Sequence, residues 1–217
     1  MTAGAALADA ELNLSAEIPS DGSGSRQAAG GANRSDAALS AGFMADAPGA
    51  FEAVVAAYQE RVTRLAYRLL GWSSAAEVDD VVQDVFFAAL RHRRRFRGDS
   101  SLATWLNAIT VNCCRTHQRR QQMRRILPLR WGRAPDTEPP ASEAAASDDA
   151  ARRVRAAVQA LPPRDREVVV LRYFEQLDAS AIADVVGLSK NAVEVRLHRA
   201  RARLAEALAE WHREERS

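Results

Sequence analysis

Residues 178–208 read DASAIADVVGLSKNAVEVRLHRARARLAEAL, and this stretch decides how the rest of the chain is read. Asp178 stands where a helix N-cap accepts a backbone hydrogen bond, and Ile182 with Val185 or Val186 gives a short helix one apolar side. Gly187 supplies a turn, Leu188 an apolar contact and Ser189 a second cap. The helix that follows carries Val193, Leu197, Ala200, Leu204 and Leu208 as a core-facing stripe, and Arg196, Arg199 and Arg203 fall together on another face. Cap, short helix, glycine turn, cap and long helix form a helix-turn-helix. Lys190, Asn191 and Glu194 occupy the first two turns of the second helix, where such a helix meets base edges. Lysine and asparagine hydrogen-bond bases, and the arginines fit phosphates. The same arginines also suit a plain solvated face.

Outward from this unit, the 217 residues are long enough for one medium domain or two small ones. Aromatic residues are only 6%, so the expected cores are small and aliphatic. No run approaches the roughly 18 apolar residues of a membrane span, and the first residues lack the basic start and apolar stretch of a secretory signal. Cys113 and Cys114 are adjacent, poor geometry for bridging each other. These features predict a cytoplasmic, reduced protein. Net charge is +2, unevenly spread: ten arginines stand against one acid between Arg91 and Arg125, and two arginines against five acids between Ile126 and Asp149. A basic block beside an acidic one points to a polyanion partner for the first block alone.

The periodicity is helical throughout, with no strand-like alternation. Residues 1–48 are Ala, Gly, Ser and Asp with few bulky apolar groups, and disorder is expected there. Phe51, Val54, Val55, Tyr58, Val62, Leu65 and Leu69 mark one helix face, ended by Gly71. Ser74 with Glu77 is a capping box, and the next helix buries Val78, Val81, Val82, Val85 and Ala89. Gly98 breaks the pattern, Ser100 or Ser101 caps a third helix, and Leu102, Trp105, Leu106, Ile109, Cys113 and Thr116 share its apolar face. Residues 128–147 hold four prolines and small polar residues, a linker. Beyond it Val154, Ala157, Val158 and Leu161, then Val168, Val169, Leu171 and Phe174, lead into the helix-turn-helix. The expected fold is all-α: residues 49–125 as one small domain, a flexible linker at 126–147, and residues 148–212 as a second.

Two sequences now carry a resemblance. LPPRDREVVVLRYFEQLDASAIADVVGLSKNAVEVRLHRARARL resembles region 4 of extracytoplasmic-function sigma factors, the small specificity subunits of bacterial RNA polymerase. EVDDVVQDVFFAALRHRRRFRGDSSLATWLNAITVNCCRTHQRR resembles their region 2. The resemblance implies a non-enzymatic protein that binds core polymerase, recognises the −35 and −10 promoter elements and helps open DNA. It places Lys190, Asn191, Glu194, Arg196, Arg199 and Arg203 at the −35 element. In region 2, Asp80, Gln83, Asp84 and Phe87 match the contact with the polymerase β′ clamp helices. Phe96, Arg97, Gly98, Asp99 and Ser100 match a loop that captures an unstacked −10 base, with Asn107, Asn112, Arg115 and Arg119 on the following helix. The acidic linker (Asp136, Glu138, Glu143) is similar to family linkers that thread the polymerase channel. The implied partners are core polymerase through its β′ clamp helices and β flap, promoter DNA and an anti-sigma factor. No cofactor, metal, small-molecule substrate or catalytic residue is expected.

Other readings of the same residues stand beside this one. Asp80 and Asp84 are also the spacing of a nuclease metal pair, but no further carboxylate or histidine joins them. Cys113, Cys114 and His117 invite a zinc reading, yet three ligands on one helix without a fourth do not close a tetrahedral site. A free-standing helix-turn-helix repressor would need neither the Asp80–Gln83–Asp84 face nor the loop at 96–101.

Overall fold

The structure, a computed structural model, describes residues 32–126 and 149–214. Eight α-helices follow in order among them: α1 (Ala32–Met44), α2 (Ala50–Leu69), α3 (Ala75–His92), α4 (Leu102–Ile126), α5 (Asp149–Ala160), α6 (Pro163–Tyr173), α7 (Ala179–Val186) and α8 (Lys190–Glu214), with a short 3₁₀ turn at Arg93–Arg95. The linker acids and residues 1–31 lie outside the described residues.

The local signals act where the sequence places them. Ser74 accepts from the Glu77 amide (3.1 Å) and starts α3. Of the two serines before α4, Ser101 is the cap, accepting from the Thr104 amide at 3.1 Å. In the first half, α2, α3 and α4 pack on one another around Val54, Leu65, Val78, Val81, Val85, Leu102 and Leu106, all buried. Each such side chain contributes about 1.5–3 kcal/mol of burial.

Two expectations need correction. Part of the segment expected to be disordered is helical: α1 forms over Ala32–Met44, and Phe43 is 1% exposed, its ring stacked with Phe51 and tilted against Phe96 and Trp105. An aromatic pocket on the body receives the Phe43 ring, Leu39 packs beside the same core, and Asp36 accepts from the Tyr58 hydroxyl. The apolar face of α4 is also wider than its periodicity suggests. Asn107, Thr110, Val111 and Cys114 are buried beside the expected stripe, because α4 packs against α2 and α3 on one side and α7 on another. In the second half Val154 and Phe174 are 45% and 40% exposed.

The two halves are packed together, with α6 on α2 and α7 on α4. Arg166 is the deepest tie. Its guanidinium donates to the Leu69 carbonyl at the end of α2 (3.3 Å) and to the Gln159 (2.6 Å) and Leu161 (3.1 Å) carbonyls at the end of α5. A cation there complements two helix C-termini at once. Gln159 adds a bond to the Gly71 carbonyl at 2.8 Å, Arg61 pairs with Glu175 at 2.8 Å, and Arg68 lies 4.5 Å over the Phe174 ring.

Gly71 is required twice. Its φ is +79°, and a Cβ there would stand 2.4 Å from Nη1 of Arg166. Gly71→Ala is therefore expected to destabilise the protein by about 1–3 kcal/mol, from backbone strain and displacement of the buried guanidinium. Thermal denaturation of the variant against the parent chain measures it; an unchanged midpoint would contradict the described seating of Arg166.

Candidate polymerase and nucleic-acid interface

The helix-turn-helix is built as its caps require. Asp178 accepts from the Ala181 amide at 2.8 Å, and Gly187, in the left-handed region at φ 72°, closes α7 through its own N–H to the Ala183 carbonyl. Ser189 accepts from the Ala192 amide at 3.2 Å and starts α8. Ile182, Val185, Val186, Val193, Leu197 and Ala200 are buried beneath.

The six residues singled out on α8 do not share one face. Lys190, Asn191 and Glu194 are exposed at its start, and Lys190 and Glu194 line a groove with Arg172, Ser180, Leu197 and Arg201. Arg196, Arg199 and Arg203 lie on the other side, where Arg196 is half-buried and Arg203 pairs with Asp165 of α6. Arg201, which the sequence reading passed over, stands in the groove and donates to the Tyr173 hydroxyl at 2.8 Å. Residue 201 lies eleven positions after Lys190, three turns on along the same line, and that spacing was available to find it.

On α3 the arrangement is simpler. Asp80, Gln83, Asp84 and Phe87 are all exposed, opposite the buried valines, and Phe87 is 70% exposed. Leu90, one turn beyond Phe87, extends this face and is 43% exposed. A carboxylate pair beside an open aromatic ring suits a basic, partly apolar protein surface. Arg120 of α4 reaches Asp84 at 4.0 Å. Among the described residues no group of three or more His, Cys, Asp or Glu is placed to hold a metal ion.

The loop after α3 brings together only part of its expected set. Arg97, Gly98 and Asp99 are exposed, Arg97 pairing with Asp99 at 3.2 Å, and Ser100 is half-exposed. Phe96 is instead in the core, 5% exposed, with its ring 5.2 Å from that of Trp105. It anchors the loop and does not face solvent. Asn107 is likewise removed from any surface at 2% exposure, and its Nδ2 has no partner among the described residues. Phe96 follows the 3₁₀ turn at Arg93–Arg95, and Asn107 lies within α4 on its buried side. Asn112 is half-exposed and Arg119 exposed. Arg115 is held across the seam: it grips both Glu167 oxygens, at 3.0 and 2.7 Å, and donates to the Val186 carbonyl at 3.3 and 3.2 Å. Within the basic block, burial first, then Arg95 and Arg91, lowers the pKa of His92.

Cys113 and Cys114 are free and buried. Burial first, then the Asp84 carboxylate, pushes the Cys113 thiol up to about 12, and burial raises Cys114 further above its ordinary range. Both are poor nucleophiles and poor metal ligands in the folded chain.

A sigma-70 region 2 model matches residues 54–124 and a sigma-70 region 4 model matches residues 151–204. The ECF RNA polymerase sigma factor SigM of Mycobacterium tuberculosis is 32% identical over 175 residues, covering 81% of this chain and 85% of its own length. The RNA polymerase sigma-H factor of Pseudomonas aeruginosa is 31% identical, covering 76% and 89%. Among solved structures, CnrH in complex with the cytosolic domain of CnrY superposes with a TM-score of 0.57 at 28% identity, covering 81% of this chain and 97% of that one. The fold is also that of the Bartonella quintana sigma factor RpoE solved with the anti-sigma factor NepR, at 22% identity and a TM-score of 0.60 over 74% of this chain and 98% of that one.

Neither thiol of the folded protein is expected to react with iodoacetamide at mildly alkaline pH, and both should react once denaturant is added, as read by mass spectrometry. The folded state holds the Cys113 proton more tightly than the unfolded chain, so this contribution to stability is full below pH 9 and is lost as pH rises toward about 12. Rapid alkylation without unfolding would contradict the burial of these residues.

Proposed function

The chain belongs to the extracytoplasmic-function group of sigma-70 RNA polymerase sigma factors, and from that premise we propose how its surfaces divide the work. The first domain docks on core polymerase through Asp80, Gln83, Asp84 and Phe87. Its 96–101 loop, with Asn112 and Arg119, takes the −10 strand. The second domain reads the −35 element through the start of α8, where Lys190 and Asn191 meet base edges and Arg199 a phosphate. The observation that supports this division best is the exposed acidic and aromatic face of α3. A repressor acting on duplex DNA alone has no use for it, and phosphate would repel its carboxylates.

The two promoter elements lie several helical turns apart, so the halves must separate for both to be read. Separation releases Arg115 from Glu167, and only then can Arg115 join Arg119 on the DNA side. The Bartonella quintana sigma factor of the same fold was solved with an anti-sigma factor, and we propose the same class of partner here, one that would hold the protein away from polymerase. The working compartment is the cytoplasm, where core enzyme resides; none of the described helices is long and apolar enough to cross a membrane.

Transcription in vitro with bacterial core enzyme on a promoter library tests this. Initiation should require both protein and core, and the selected promoters should share two separated elements. Asp84→Arg should weaken core association about tenfold or more, the scale of a charge reversal at a protein interface. Helix content and thermal midpoint should stay near those of the parent. Full initiation by this variant, or duplex binding without core, would favour the repressor.

A further inference from the structure

The loop that takes the −10 strand is poorly tied by its own polar groups. The side-chain hydrogen bonds seen for Arg97, Ser100 and Ser101 stay within the loop and the first turn of α4. Its attachment to the body is elsewhere. Phe96, at the base of the loop, is sunk against Trp105, and the ring of Phe43 closes over both, 6.3 Å from Phe96 and 5.9 Å from Trp105. The neighbours of Phe43 continue the contact. The Met44 thioether stands 3.6 Å from where a Cβ on Gly98 would lie, and Asp46 pairs with Arg93 just before the loop. Residues at and just after the end of α1 therefore line the loop from Arg93 to Gly98, through the Asp46–Arg93 pair, the Phe43–Phe96 rings and the Met44 thioether beside Gly98.

We infer that Phe43, on the N-terminal helix, is a positioning residue for strand capture: its ring pins Phe96 and so fixes where Arg97, Asp99 and Ser100 stand. This rests on the assignment of the 96–101 loop to the −10 strand. The chemistry is indirect. A flipped base is held by edge hydrogen bonds and stacking within a tight pocket, and a shift of about 1 Å in the groups lining such a site costs up to two orders of magnitude in productive contact. An anchor of buried rings supplies the rigidity that a glycine-containing loop lacks. Phe43 never reaches DNA, since it is 1% exposed.

The test uses the full chain assembled with core polymerase. Phe43→Leu keeps an apolar side chain in the pocket and removes the ring. Met44→Ala alters a residue 44% exposed, outside the core, and removes the thioether that stands beside Gly98. Each variant is assayed for core affinity by competition, for duplex −35 binding, and for retention of a single-stranded non-template −10 oligonucleotide. Phe43→Leu should weaken oligonucleotide retention about tenfold and Met44→Ala about threefold, with less discrimination between −10 sequences. Core affinity and −35 binding should stay within about twofold of the parent in both. Unchanged oligonucleotide retention in both variants overturns the inference. So does a loss shared equally by core affinity, −35 binding and retention in both, because α1 would then be ordinary core. Parent holoenzyme that initiates transcription but does not retain the oligonucleotide would instead sink the assignment of the loop itself, and the positioning role with it.

Discussion

Among the polar contacts that join the two halves of this molecule, the guanidinium of Arg166 is the one the turn after α2 is built around. Arg166 is 9% exposed and sits where the last turns of α2 and α5 converge, its donors spent on carbonyls that helix geometry leaves without partners. Burial lowers its pKa, the direction expected for a cation taken out of water, and its Nε finds no partner among the described residues. Two negative helix ends offset that desolvation. Gly71 follows from it: the chain must turn after α2, and it must turn without a Cβ because the guanidinium occupies that space. Removing the arginine would take this donor from the Gln159 and Leu161 carbonyls, while the Leu69 carbonyl would keep the Gln118 side-chain amide at 3.1 Å, so the seam is specified by polar complementarity as well as by packing.

The same seam determines which functional groups face outward. The α3 face and the beginning of α8 are exposed, so the two surfaces assigned to protein and duplex recognition are presented together. The α4 arginines divide. Arg119 is exposed, and Arg115 is engaged with Glu167 and the end of α7. One helix therefore serves as the scaffold of the first half and as the landing site of the second. A side chain that would meet a phosphate in the open molecule meets a carboxylate in the closed one, with the same fork geometry and the same charge pairing.

How much of this was legible in the sequence depends on whether a feature is local. The caps at Ser74, Asp178 and Ser189, the turn at Gly187 and the valine face of α3 are written within a few residues of where they act, and each is found there. The exposed set Asp80, Gln83, Asp84 and Phe87 was readable for the same reason, as the complement of a clear stripe. What was not legible depends on neighbours distant in sequence. Periodicity gave α4 one apolar face, but packing on two sides also buried Asn107, Thr110, Val111 and Cys114. Phe96 reads as an aromatic next to a basic loop, and only the fold shows its ring in the core. Phe43 stands among mostly small residues, with too little local pattern to predict a helix, and its burial rests on partners eight to sixty-two positions away. Arg166 and Glu167 are buried with partners in the first half, the Leu69 carbonyl and Arg115, which no window within either half can reveal.

The chemistry of the seam also bears on whether it can open. An apolar interface that separates exposes hydrocarbon to water at a cost of roughly 25 cal/mol per Å². Here many of the contacts that cross between halves are polar: Arg61 with Glu175, Arg115 with Glu167, Gln159 with the Gly71 carbonyl, Arg166 with Leu69. Each of these groups exchanges a protein partner for water on separation, and the net worth of such an exchange is small compared with its geometric specificity. The buried apolar residues of both halves nonetheless form one continuous cluster, so a partner that parts the seam must also offset newly exposed hydrocarbon. For a protein whose two domains serve sites far apart on DNA, that balance matters more than a tighter interface, because every kilocalorie invested in closure is subtracted from the binding of polymerase and promoter.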